Sequence, residues 1–217
     1  LSSHFYLLTF TFSISLAYFC EKKILVSKSN LNKQEKLKIN TLLSDLRSKD
    51  EVKIASAIKA FAVHGHATVI EPIIEVWRSG LSAENEALVI DLFQSLKDTS
   101  AIEPLMEAFN NPGNADLRRK LASAFWNSKL DFSDYLADFV LFGIEGDFLD
   151  ALEVITLIEN FETVAPESAI LESQLLLTEY FGQTENRGDQ KDAILTDLAM
   201  LLKDFSELEG TDDLFLE

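Results

Sequence analysis

A single cysteine, Cys20, among 217 residues leaves nothing to build an intrachain disulfide or a thiolate zinc cluster from. A reducing compartment, the cytoplasm, is the default setting for such a chain. Glycine (8) and proline (4) are also scarce, which argues against a loop-rich or β-sandwich protein, while 47% apolar residues argue against disorder. Positive charge nearly vanishes after residue 129. Residues 130–217 hold three basic side chains (Arg187, Lys191, Lys203) against 22 acidic ones, a balance of −19. Residues 37–129 hold 11 against 12, or −1, and residues 1–36 hold five against two, or +3. A field this negative repels a phosphate backbone, so the C-terminal half is not expected to bind DNA, RNA or anionic lipid. It reads either as a dock for a basic partner or as solvated outer helix faces that keep the protein in solution. A Gly-rich phosphate loop, a G-x-S-x-G elbow and a histidine beside a nucleophile are all missing, so no enzyme activity is expected.

Residues 1–20 carry no Asp, Glu, Lys or Arg, and Phe5 to Cys20 reads FYLLTFTFSISLAYFC without a 3.6 period. As a secretory signal the segment lacks a basic start, and Ala17-Tyr18-Phe19-Cys20 fits neither an A-x-A site nor a lipoprotein box. As a membrane anchor, residues 5–20 are barely long enough; Lys22 and Lys23 would then keep the remainder in the cytoplasm. The first methionine is Met106, so an upstream extension or a fragment of a longer gene is the third reading. On all three, residues 1–31 stand outside the domain, 32–206 form it, and 207–217 make an acidic, frayed tail.

What the chain does have is a period. Phe61, Phe93, Phe125 and Leu157 recur at one constant interval, each near the end of an apolar stretch with helical spacing. Val69-Ile70-Glu71-Pro72-Ile73-Ile74-Glu75 matches Ala101-Ile102-Glu103-Pro104-Leu105-Met106-Glu107 without a gap at the same interval. A repeat of about 20–50 residues with two helices per unit predicts an all-α fold, a stacked α-solenoid whose modules share one core.

The helices follow from caps and breaks. Asn32 caps a helix over 33–47. Ser48-Lys49-Asp50-Glu51 is a capping-box pattern opening a helix that stops at Gly65. Then come 68–79 with a Gly80 stop, 83–97, a helix from the cap at 98–100 through Phe109, a turn at 111–114, and 116–127. Helices over 132–144, 148–160, 166–181 and 189–205 complete about ten. Pro72 and Pro104 fall in or just after a first turn, where a missing N–H costs no intrahelical bond. The third equivalent of that proline is Tyr135, one residue short of the strict register.

The paired I-E-P stretches, Thr68 to Glu75 and Thr99 to Glu107, each followed by a second amphipathic helix, resemble HEAT repeats of the phycobilisome-lyase-like (E/Z) type. The likeness covers residues 48–130 well and 131–205 by helix spacing. It extends to small HEAT-repeat proteins of bacteria. The resemblance implies antiparallel helix pairs in a right-handed superhelix, with the second helix of each pair lining an inner face. The motif itself carries no function; the stacked architecture, which presents surface to partners, is what points to a non-catalytic scaffold or adaptor that binds a protein or peptide segment. A bilin-lyase-like enzyme or enzyme helper is the alternative from the same repeat class, and a nucleic-acid-binding solenoid would need a basic groove.

Candidate chemistry is sparse. His64-Gly65-His66 has the residue types of a metal site but sits where a helix should stop, so no metal or cofactor is expected. Glu71/Glu75 and Glu103/Glu107 recur with the period, as solvent-facing positions do. Arg118-Arg119-Lys120, opening a helix, is the one basic cluster, with Asp116 and Asp91 as nearby carboxylates. Trp126 stands where the template wants a small or polar residue (Ala62, Gln94). Arg118, Arg119, Lys120 and Trp126 are therefore the candidate interaction surface, since Arg and large aromatics favour interfaces.

Overall fold

The described residues fold into helices, some of them begun by a side-chain cap that the sequence carries. The computed structural model describes residues 33–64, 66–183 and 189–212, without the side chains of His64 and residues 207–212. Among these are ten α-helices and no strand. They are α1 (Lys33–Leu46), α2 (Glu51–His64), α3 (Ile70–Arg78), α4 (Ala83–Gln94), α5 (Ile102–Asn110), α6 (Arg118–Trp126), α7 (Leu136–Glu145), α8 (Phe148–Glu159), α9 (Glu167–Gln183) and α10 (Gln190–Asp212). The described residues from Lys38 onward belong to one compact unit. Residues 1–31, with the candidate anchor at 5–20, lie outside the described residues. No described helix is long and apolar enough to cross a membrane.

Helix starts show which side chains act. Asp50, not Ser48, caps α2: its Oδ1 accepts from the N–H groups of Val52 (3.0 Å) and Lys53 (3.3 Å). Ser82 caps α4. A full capping box opens α8, where Asp147 and Asp150 each accept the other's N–H. Short 3-10 turns at Ala67–Val69, Thr99–Ala101 and Ser133–Tyr135 precede α3, α5 and α7. Pro72 and Pro104 are thus the third residues of α3 and α5, where the lost donor lies within the first turn.

The interval lengthens after the second of those turns. Thr99 follows Ala67 by the period of the phenylalanines, whereas Ser133 comes two positions later than that period would place it. The equivalent of Pro104 is accordingly Asp138, the third residue of α7, and not Tyr135. The added length sits in the connector at positions 127–132, longer by the same two positions than the one at 95–98. The last helix also runs on beyond Phe205 to Asp212, into the segment expected to fray.

Packing follows chain order with one helix skipped. α2 lies on α4, α4 on α6, α6 on α8 and α8 on α10, while α3 lies on α5 and α7 on α9. Contacts within α3–α4, α5–α6, α7–α8 and α9–α10 join the two rows. Phe61, Phe93, Phe125 and Leu157 are all buried, 1–3% exposed. Trp77 meets Phe93, and Phe109 meets Phe125, each within 6.0 Å between ring centroids. Phe109 also packs edge-on against Phe139 and Phe142 (5.2 Å each), carrying the core from α5 to α7. Rings in tilted and edge contact contribute about 0.5–1.5 kcal/mol per pair beyond their burial.

Candidate functional site

The basic cluster begins α6, where three successive cations face the positive end of a helix dipole. Partners on neighbouring helices offset that. Arg119 Nε donates to Asp150 Oδ1 and Nη2 to Asp147 Oδ1, both at 2.6 Å. These carboxylates hold the Arg119 guanidinium pKa above its ordinary value, the bond to Asp150 contributing most. Lys120 pairs with Glu86 of α4. Arg118 reaches Glu145 at 3.6 Å and lies against the faces of Phe109 (4.8 Å) and Phe142 (4.5 Å). Neither Asp116 nor Asp91 is the partner of any of the three. The true partners belong to the unit before or the unit after.

Those bonds belong to a series along the starting ends of the second helices. Glu51 of α2 accepts from Ser82 (2.7 Å) and from the buried Asn85 of α4. Glu86 of α4 meets Lys120 of α6, and Arg119 of α6 meets the capping box of α8. At α10, Lys191 Nζ donates to the carbonyls of Ile144 (2.6 Å) and Gly146 (2.8 Å), which end α7.

Trp126, at the far end of α6, is half-buried, and its Nε1 donates to Glu153 of α8 at 2.8 Å. It lines a pocket of about 290 Å³ formed with the long 127–132 connector, over the stacked rings of Phe125 and Phe132 (4.4 Å). Lys129, Asp131 and Glu162 add charge to its lining. Burial works to raise the Asp131 pKa, but the bonds from the Thr163 hydroxyl and the Ser133 N–H outweigh it and hold it below the usual range. Asp131 is thereby fixed as a turn-forming acceptor.

A second pocket, about 250 Å³, lies between the α3–α4 and α5–α6 turns, and Lys120 lines it. Trp77, Arg78, Gly80, Gly113 and Asn114 form much of the rest. Gly80 adopts φ +101°, a conformation that L side chains avoid. Trp77 is 3% exposed, and its Nε1 finds no acceptor among the described residues. A buried donor left unpaired costs about 1–3 kcal/mol. Arg78 Nη1 reaches Asn114 Oδ1 at 3.4 Å, and Asn114 is buried, its amide held by the Ala108 carbonyl at 2.8 Å. Sequence reasoning missed this pocket. Gly80 was legible as a helix stop, but its nearness to Gly113 and Lys120, in the following unit, was not.

The remaining candidates resolve simply. His66 Nδ1 accepts from the Thr68 N–H at 3.3 Å and caps the 3-10 turn before α3; the His64 side chain lies outside the described residues. Among the described residues no group of three or more His, Cys, Asp or Glu side chains could hold a metal ion. Glu71, Glu75, Glu103 and Glu107 are all exposed. Glu103 and Glu107, with Asp134 and Asp138, contribute after burial to raising the Tyr135 pKa. Asp138 of α7 is raised as well, chiefly by burial and also by Glu172 of α9, although Asn110 donates to it at 2.8 Å.

Compared with protein-family models, characterised proteins and solved structures, the chain matches none. The class it defines is an all-α protein of paired helices, and its function follows from no relative.

Proposed function

We propose that this chain is an α-solenoid of HEAT-like helix pairs, working as a non-catalytic scaffold that binds a protein or peptide segment. The observation that carries this is the row α2–α4–α6–α8–α10, in which each second helix packs on the one before and the one after. Each is also tied to a neighbouring helix by polar bonds at its starting end. Such a row shares its core between neighbours and leaves one long face of successive helices free of intramolecular duty. Val52, Ser56 and Lys59 of α2, Glu84, Ala87 and Asp91 of α4, and Leu149 and Leu152 of α8 are exposed along it. These exposed side chains mix apolar, acidic and basic character and include one cation, Lys59, against two acids, whereas binding a phosphate backbone draws on clustered Lys and Arg.

The test is affinity capture with the full chain, followed by cross-linking and mass spectrometry to locate the contact. A saturable protein partner whose cross-links fall on Lys53, Lys59, Lys120 or Lys203 of the second helices supports the reading. Cross-links confined to α3, α5, α7 and the turns beside them overturn the assignment of the face; an absence of any saturable protein partner overturns the scaffold itself. If the acidic C-terminal half is the dock, partners elute at moderate salt; salt-resistant capture removes that electrostatic version.

A further inference from the structure

The solvent-facing stripe of the first helices changes character along the row. In α3 and α5 it carries Glu71 and Glu75, then Glu103 and Glu107, all exposed. In α7 the same two positions hold Ala137 and Leu141, by the register that sets Asp138 against Pro104. In α9 the stripe opposite the buried Ile170, Ser173 and Leu177 holds Leu171 and Leu175, one turn apart. We propose that this apolar patch on α7 and α9 is the docking site for a basic amphipathic helix of a partner protein. It lies on the other row from the face proposed above; what it shares with that reading is a basic partner for the acidic half.

Geometry gathers the leucines. α7 and α9 pack on one another and run in the same direction. Lys191 fixes that direction, because its Nζ donates to the carbonyls of Ile144 and Gly146 at the end of α7 and lies 5.4 Å from the Tyr180 ring near the end of α9. Asp138 and Glu172 face one another closely enough for the Glu172 charge to help raise the Asp138 pKa. Leu141 and Leu175 follow that pair by about one turn each, so they stand level across the two helices. Leu171 is 55%, Leu175 67% and Leu141 39% exposed, large side chains left in water where the preceding units set carboxylates. Grouped exposed leucines with a polar rim mark a protein contact. Two parallel helices also leave between them a groove that the side-chain ridge of a third helix fits.

Charge selects the occupant. α5, α7 and α9 hold two, two and three acidic side chains and no lysine or arginine. Cations on adjoining elements are committed elsewhere: Arg118 lies on Phe109 and Phe142 and pairs with Glu145, and Lys191 holds the end of α7. Lys203 shares α10 with Asp192, Asp197 and Asp204. Burial pushes the Tyr135 pKa up, and Glu103, Asp134, Asp138 and Glu107 push it further, so the field over the start of α7 is negative. A second copy presenting this face would set carboxylates against carboxylates, and an anionic lipid surface would be repelled. Lysines or arginines flanking an apolar helical stripe meet the patch with both kinds of complementarity.

The probe is a blocked peptide of about four helical turns, leucine at i, i+3, i+4 and i+7 spacing and lysine elsewhere, titrated calorimetrically into the full chain. Controls are the same residues scrambled, and the same spacing with glutamate in place of lysine. The spaced lysine peptide should bind saturably at one site, more weakly as salt rises, and the glutamate peptide should not bind. Leu171→Ser combined with Leu175→Ser, both at exposed positions, should melt with the parent and weaken binding about tenfold or more. Glu172→Gln, which removes no apolar contact, should weaken it about two- to fivefold. Leu149→Ser combined with Leu152→Ser, on α8 of the other row, should leave it unchanged. The proposal is overturned if the scrambled peptide binds as tightly, if the α9 variant binds as the parent does, or if the α8 variant loses as much. It is also overturned if the chain alone sediments as a dimer that the α9 variant dissolves, since a second copy would then cover the patch. Failure here leaves the scaffold reading standing, because that depends on partner capture.

Discussion

Phe125 shows how much one residue carries. Its ring stacks on Phe132 at 4.4 Å, lies 5.9 Å from Phe109 and 6.2 Å from Phe139, and is 2% exposed. Truncation there leaves a hole bordered by rigid rings that cannot close over it. Phe125→Ala should therefore lose about 3–5 kcal/mol of unfolding free energy in urea titration; a loss under about 1 kcal/mol would mean that the aromatic cluster is loosely packed. Asp138 tests electrostatics at the same scale. Burial and Glu172 raise its folded pKa, so its favourable contribution is complete below the unfolded value and is lost as pH climbs through the raised one. Asp138→Asn stays neutral and keeps an oxygen for the Asn110 amide. It should be more stable than the parent at pH 7 and indistinguishable near pH 3, measured by denaturant midpoint. A variant less stable at pH 7 would mean that the attraction of Arg118 outweighs desolvation.

At the scale of elements, the end-to-end ties decide how firmly successive units are joined. Lys191 closes the carbonyl end of α7 from the start of α10, two charge-assisted bonds at 2.6 and 2.8 Å that no other described side chain makes there. Lys191→Met keeps the aliphatic stem and removes both. The expected loss is about 1.5–3 kcal/mol, with hydrogen exchange rising first in α7's last turn and in α10; uniform exchange across all helices would show that the bond is not a local clasp. These ties were invisible in the sequence, because Lys191 and Ile144 stand 47 residues apart and nothing periodic links them. The greasy positions were legible for the opposite reason. Phe61, Phe93 and Phe125 obey a rule of burial that repeats with every unit. Tyr135 failed as the third proline equivalent because connector length is set by how α7 docks, which the local pattern does not record. Arg118, Arg119 and Lys120 were legible as cations at a helix start. Their partners, Glu86 of α4, Glu145 of α7, and Asp147 and Asp150 at the start of α8, could be named only once those helices lay beside α6.

For the molecule as a whole, two electrostatic effects of opposite sign compete. The ties between second helices (Lys120 with Glu86, Arg119 with Asp147 and Asp150) weaken as salt is added. Repulsion within the C-terminal half, 22 acidic side chains against three basic, weakens too, and that favours the folded state. Exposed ion pairs contribute only about 0–1 kcal/mol each, and Asp147 is largely open to solvent. Asp150 is the better-shielded partner, 13% exposed in its side chain, so its bond to Arg119 resists screening most. The carboxylates are many and outnumber the basic side chains by 19 in this half, and repulsion among them acts over a Debye length of about 8 Å at 0.15 M salt and farther at lower salt. Repulsion should therefore win. Raising NaCl from 10 mM to 200 mM at pH 7 is expected to increase Tm by a few degrees, and Arg119→Gln, which adds to the negative balance, should steepen that rise. A fall in Tm over the same range would show that the ties between helices, rather than the surplus of negative charge, dominate how this protein responds to its ionic surroundings.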